Sequence, residues 1–212
     1  MIHYDRNRRR FAVALAALAG CVDAIGFLSA DGYFVSFMSG NTTRLGVALG
    51  SSPRHALVPA LLIGGFIVGV TTGSLIATAA GRWRKPAITA LVTALLLCGA
   101  AARALGAEPV MLGMLVMAMG AINNTFQRGG EVAIGLTYMT GALVKLGQGL
   151  AQRLAGRPTP GWSSWAWLWG GLLTGAVTGA FLEDRLPLAC LWLAAAWAAM
   201  MVVIAFRLPV ES

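Results

Sequence analysis

The sequence predicts an all-α polytopic membrane protein: six transmembrane helices in two inverted three-span repeats, each with a short broken or re-entrant element after its first span. Three observations carry that expectation. Of 212 residues, 58% are hydrophobic and only 11% charged, too little polar surface for a soluble globule of this size. The chain repeats itself. Its positive charges separate cleanly onto one side of a membrane only if the short elements do not cross.

The repeat is clearest in residues 35–50, VSFMSGNTTRLGVALG, and 136–151, LTYMTGALVKLGQGLA. At an offset of 101, Met38/Met139, Gly40/Gly141, Leu45/Leu146, Gly46/Gly147 and Leu49/Leu150 are identical. Ser36/Thr137, Phe37/Tyr138, Ser39/Thr140 and Arg44/Lys145 keep their chemistry. A straight helix of about 16 residues reaches only about 24 Å, against a hydrocarbon core of about 30 Å. Each copy therefore reads as a piece that enters the bilayer without crossing it.

In chain order, span one covers about 11–30, flanked by Arg8-Arg9-Arg10 before and Asp31-Gly32 after. The first short element ends at Gly50 and a turn at Ser51-Ser52-Pro53-Arg54. Span two, about 56–80, carries Gly65, Gly69 and Gly73, a small-residue stripe that lets membrane helices approach closely. Arg82-Trp83-Arg84-Lys85-Pro86 ends it, and span three follows over about 87–105. Pro109 opens span four, which ends near Gln127. After the second short element, span five begins in an interfacial tryptophan cluster and carries Gly171, Gly175 and Gly179, the span-two stripe again at an offset of 106. Span six covers about 188–206. Gly20-Cys21-Val22-Asp23-Ala24 aligns with Gly120-Ala121-Ile122-Asn123-Asn124, so the repeat reaches spans one and four. The chain is one membrane domain, 1–212, with repeat one at about 11–105 and repeat two at about 109–207.

With six spans, Arg6, Arg8, Arg9, Arg10, Arg82, Arg84, Lys85, Arg128, Lys145, Arg153, Arg157 and Arg207 share one side, leaving Arg44, Arg54, Arg103 and Arg185 opposite, 12 against 4. If both short elements crossed, the loops would divide 9 against 5 and leave Arg44 and Lys145 in lipid. The positive-inside rule favours six spans with both termini cytoplasmic. An odd number of spans per half makes the halves inverted.

Irregular backbone at membrane depth is tolerated only where protein or a water-filled cavity surrounds it. Two such breaks related by an inverted repeat are expected to meet near the midplane. Ser39-Gly40-Asn41-Thr42 reads as an extended approach, a glycine turn and Asn41 capping a short helix, and Thr140-Gly141 repeats the turn with a poorer cap. Helix N-termini aim partial positive charge at what lies before them, which suits a polar or anionic solute group; a plain structural plug is the alternative. Asp23 lies mid-span, where a charge costs roughly 3 kcal/mol or more. It reads either as a proton-coupling carboxylate or counter-ion of Arg44 or Lys145, or as a protonated acid bonded to a neighbouring helix. Asn123 and Asn124 add amides on span four. Arg44 and Lys145, four residues past each glycine, either close over an anion or snorkel to headgroups. The expected substrate-binding set is Asp23, Ser39, Gly40, Asn41, Thr42, Arg44, Asn123, Asn124, Thr140, Gly141 and Lys145.

Other chemistry finds little footing. The formal charge of +8 sits in short clusters between apolar runs and forms no basic domain, so no nucleic-acid partner is expected. Cys21, Cys98 and Cys190 are single and far apart, and the two histidines, His3 and His55, lie outside the spans. No metal, no cofactor and no enzymatic activity are expected.

Gly20-Cys21-Val22-Asp23-Ala24, the run from Phe34 to Thr42 around Met38-Ser39-Gly40-Asn41, Met119-Gly120 with Asn123, and Thr137 to Gly141 resemble the YoaK-like bacterial membrane proteins, a family defined by a domain of unknown function. The resemblance covers nearly the whole chain. It implies an inner-membrane protein and no particular substrate. Asn124 departs from the small residue the resemblance leads one to expect there.

The functional expectation is a transporter or channel for a small polar solute, anionic ones included, with its site between the two glycine-broken elements. The competing class is a non-transporting scaffold or accessory subunit, with the glycine stripes as interaction surfaces. The expected partners are the lipid bilayer, an unknown small solute and, through those stripes, a second copy of the chain.

Overall fold

The computed structural model describes residues 5–128 and 131–208. Among the described residues eight α-helices follow one another: α1 (Arg6–Ser29), α2 (Met38–Ser51), α3 (Leu57–Ala80), α4 (Arg84–Ala104), α5 (Glu108–Ile122), α6 (Met139–Leu154), α7 (Ser163–Arg185) and α8 (Cys190–Phe206). After α5 come one 3-10 turn, Asn123–Thr125, and a two-residue antiparallel ribbon pairing Gln127 with Val132. By length and composition, three helical stretches among the described residues are long and apolar enough to cross a membrane: 6–29, the run 53–104 that holds α3 and α4, and 163–185. Helix α8 is apolar but shorter.

The boundaries follow local chemistry. Asp5 caps α1 by accepting the amide of Arg8 at 2.7 Å. Helix α1 ends where Asp31 and Gly32 take positive φ, 49° and 79°. Gly81, at φ 51°, ends α3.

Packing is pairwise and repeats across the two halves. Helix α1 packs on α7 and α5 on α3; α1 also touches α8 and α5 touches α4; α4 and α8 pack on each other; α2 lies on α3 and α6 on α7. The glycine stripes make the closest of these approaches. Gly171, Gly175 and Gly179 sit against the backbone at Val13, Ala17 and Cys21 in the same order, so α1 and α7 run in the same direction. Gly69 and Gly73 meet Met117 and Ala121 likewise, so α3 and α5 also run together. The approach is reciprocal: Gly20 lies on the Leu172 carbonyl and Gly120 on that of Phe66. A methyl group at these positions would run into main chain, which glycine alone avoids. Because the stripes are filled from within the chain, they no longer argue for the second copy expected from sequence.

Helices α4 and α8 run in opposite directions. Trp83 stacks on Phe206 at one end, ring centroids 5.7 Å apart, and Arg103 and Cys190 meet at the other. There Arg103 forms a two-pronged ion pair with Glu183, one prong at 2.8 Å, and also reaches Ser29 at 3.2 Å. The ends of α1, α4 and α7 and the start of α8 are thus tied at one end of the bundle. The apolar core runs through the middle, from Leu15, Leu18 and Ile25 of α1 to Leu115, Met119 and Ile122 of α5.

Candidate functional site

The chain preceding each short helix is held by a side chain from the helical segment before it, Asp23 within α1 and Asn123 in the 3-10 turn that follows α5. Asp23 Oδ1 accepts the amides of Val35 at 2.9 Å and Ser36 at 2.7 Å. In the second half Asn123 Oδ1 accepts those of Leu136 at 3.1 Å and Thr137 at 3.4 Å. Both pins stop the extended approach at the same place, and helices α2 and α6 begin two residues later, at Met38 and Met139.

This corrects the expected role of Asn41. The helices start before the glycines, Phe37 and Tyr138 stand at the caps without side-chain bonds, and Asn41 is buried one turn inside α2. Its amide reaches back to Phe34, accepting the backbone N–H at 3.2 Å and donating to the carbonyl at 2.7 Å. Asn41 therefore clasps the approach segment, its Nδ2 also facing the Met38 sulfur at 3.8 Å, and it is fully buried away from the cavity between the two short elements. Gly40 gives room to the Phe37 and Phe34 rings, which a Cβ there would strike.

Between the two short elements lies a cavity of about 390 Å³. One half contributes Asp23, Phe34, Ser36, Phe37, Met38, Ser39 and Phe66; the other contributes Thr137, Tyr138, Met139, Thr140, Gly141 and Leu172. Five lining pairs are repeat counterparts: Ser36/Thr137, Phe37/Tyr138, Met38/Met139 and Ser39/Thr140 at an offset of 101, and Phe66/Leu172 at 106. The aromatic rims stay open, Phe37 at 42% exposure and Tyr138 at 52%. Asp23 supplies the one carboxylate, and no lysine or arginine lines the cavity among the described residues.

Of the eleven residues expected from sequence, Asp23, Ser39, Thr140 and Gly141 line this cavity. The others do not. Thr42 turns its hydroxyl back to the Met38 carbonyl at 2.8 Å. Asn123 is buried, and its Nδ2 is spent on the Met119 carbonyl and the Thr137 hydroxyl. Asn124 bonds the Val70 carbonyl of α3 at 3.1 Å and accepts from Gln127 at 2.8 Å, so it fastens α5 to α3. Arg44 lies over the Tyr33 ring at 4.8 Å, and Lys145 over Trp165 at 4.1 Å. Each cation rests on an aromatic face outside the cavity; neither closes over an anion or pairs with Asp23. Sequence reasoning missed the aromatic and thioether lining, although Phe37/Tyr138 and Met38/Met139 were visible as repeat pairs.

A duplicated helical membrane protein with a cavity at the junction of its halves is the class these features define. The chain belongs to the family described as "Protein of unknown function (DUF1275)", whose model matches residues 11–204. It is similar to UPF0700 transmembrane protein RA0705 of Rhizobium meliloti (strain 1021), 38% identical over 210 residues, covering 96% of this chain and 91% of that one. It is also similar to UPF0700 transmembrane protein YoaK of Bacillus subtilis (strain 168), 29% identical over 148 residues and 66% of each chain. No solved structure matches it. The resemblance read from its motifs thus holds, and the protein is a membrane protein.

Proposed function

We propose that this protein is a six-span inner-membrane transporter or channel for a small polar solute, with two inverted halves and the solute site in the cavity between α2 and α6. The observation that carries the reading is the paired lining: both short elements present matched hydroxyl, aromatic and thioether groups to one space. Helix directions support the inversion. Helices α1 and α4 end where Arg103, Ser29 and Glu183 meet, α5 starts four residues beyond α4, and α3 runs alongside α5. The segment holding α2 then leaves and returns at that end, and the segment holding α6 does so at the other. The arginine-rich N-terminus and the Arg82–Lys85 cluster fall together, and we place them in the cytoplasm.

The charge balance bears on the solute. With Asp23 in the lining and Arg44 and Lys145 outside it, the cavity offers a carboxylate and ring faces to a cationic or neutral polar group. It offers no side-chain cation to an anion. Purified protein in liposomes, assayed for flux of a panel of small amines, neutral polar solutes and carboxylates, tests this. Flux of amines or neutral solutes that Asp23→Asn abolishes supports the reading. No flux of any solute by well-inserted protein refutes it in favour of an accessory role.

A further inference from the structure

We propose a second site, distinct from the cavity between the halves: a groove between α1 and α7 that binds one anionic phospholipid, headgroup on three arginines and acyl chain along the helices. The groove has a volume of about 660 Å³ and lies at the end of the bundle where both helices begin. Arg6, Arg9 and Arg10 line its mouth, and the first turn of α7 adds the hydroxyls of Ser163 and Ser164. Guanidinium forks and hydroxyl donors match a phosphate diester. Below them the wall turns small and mainly apolar, with Val13, Ala14 and Ala17 on one side and Gly171 on the other; Thr174 also lines it, its hydroxyl turned back to the Gly170 and Gly171 carbonyls at 2.9 Å. From Arg6 to Ala17 the helix descends about 17 Å, enough for a headgroup and the upper part of an acyl chain. Trp167, 71% exposed, stands beside the groove at the depth where indoles anchor to the interface.

The repeat supplies a comparison within the chain. The matching positions of the α5–α3 pair carry Gly106, Pro109 and Val110 in place of the arginines and Leu57 and Val58 in place of the serines. Closing two parallel helices over a glycine stripe therefore does not call for arginines. The positive-inside rule already places arginines on this face; what it does not set is three of them at the mouth of one groove with an apolar wall below, and that grouping fits an anionic amphiphile. The inference needs a membrane protein and does not depend on transport.

Native mass spectrometry of the full chain, titrated with palmitoyl-oleoyl phosphatidylglycerol or phosphatidylcholine, tests it. Three variants are compared: R6Q/R9Q/R10Q; A14F, which fills the apolar slot and keeps the charges; and R54Q/R153Q/R157Q, which removes three exposed arginines elsewhere. The wild type should retain one phosphatidylglycerol in preference to phosphatidylcholine. R6Q/R9Q/R10Q should weaken that binding about tenfold to a hundredfold, from the attraction of each arginine near the membrane surface. A14F should weaken it too, and R54Q/R153Q/R157Q should not. Equal retention of both lipids by the wild type, or equal loss in R54Q/R153Q/R157Q, overturns the site. Unchanged binding in A14F, or displacement by millimolar glycerol 3-phosphate, shows that the arginines take a phosphate ester alone and overturns the lipid assignment. If R6Q/R9Q/R10Q does not fold, A14F against the wild type decides.

Discussion

Asp23 and Asn123 make the same two backbone bonds in the two halves of the chain. Asp23 holds the amides of Val35 and Ser36, and Asn123 those of Leu136 and Thr137. Since an amide oxygen performs this task in the second half, the acidic group of Asp23 is surplus to it. Asp23 also lines the cavity, whereas Asn123 does not. The pin accounts for the oxygen and not for the acid.

Asp23→Asn should therefore keep the pin and leave thermal unfolding in detergent nearly unchanged, within about 1 kcal/mol, while abolishing flux in liposomes. Asp23→Ala removes the acceptor and strands two amides, costing about 1–3 kcal/mol. If Asn unfolds the protein as readily as Ala, the acid belongs to the fold.

Asn41→Ala should destabilise the first half by about 1–3 kcal/mol, because both backbone groups of Phe34 lose their partner in a part-buried setting. Ala142, at the matching position in α6, has no such clasp to lose. Hydrogen exchange should show residues 31–37 opening in this variant while 133–138 keep their protection.

The Arg103–Glu183 pair has side chains only 16% and 12% exposed, and it joins the two halves. Glu183→Ala should cost about 3–5 kcal/mol, since it leaves a nearly buried guanidinium unpaired. Replacing both residues with leucine or methionine should recover much of that loss. A double-mutant cycle on thermal unfolding reads the coupling directly, and additivity would show that the pair contributes nothing.

Gly69→Ala and Gly175→Ala drive a methyl into the carbonyls of Met117 and Ala17, and each should destabilise by about 1–3 kcal/mol. Gly46→Ala and Gly147→Ala meet nothing within 4 Å. On helix propensity alone these two should stabilise by up to about 1 kcal/mol. Both pairs are glycines of the repeat, so the contrast separates packing from sequence resemblance.

Much of this arrangement was legible in the sequence. The offsets of 101 and 106 locate both short elements and both stripes, and the repeat alone aligns Asp23 with Asn123. Partners across the fold were hidden. Asn124 bonds Val70, 54 positions away, and no local pattern announces that bond. The glycine stripes looked free for a partner because a periodicity does not say which helix fills it; Ala17 and Met117 do so from within the chain. Arg44 and Lys145 were sited by position relative to a glycine, but a long cationic side chain settles on the nearest aromatic face, here Tyr33 and Trp165.

Sidedness of the segments that follow the two short helices tests the central claim most directly. Single cysteines at Ser52, after α2, and at Arg157, after α6, would be placed in a background with Cys21, Cys98 and Cys190 replaced by alanine. An impermeant thiol reagent is then applied to each face of the membrane. Inverted halves with re-entrant short helices predict opposite faces, Ser52 reacting from outside and Arg157 from the cytoplasm. Labelling of both from one face would mean that α2 and α6 cross, that the halves run parallel, and that the cavity between them is not a site shared by inverted halves.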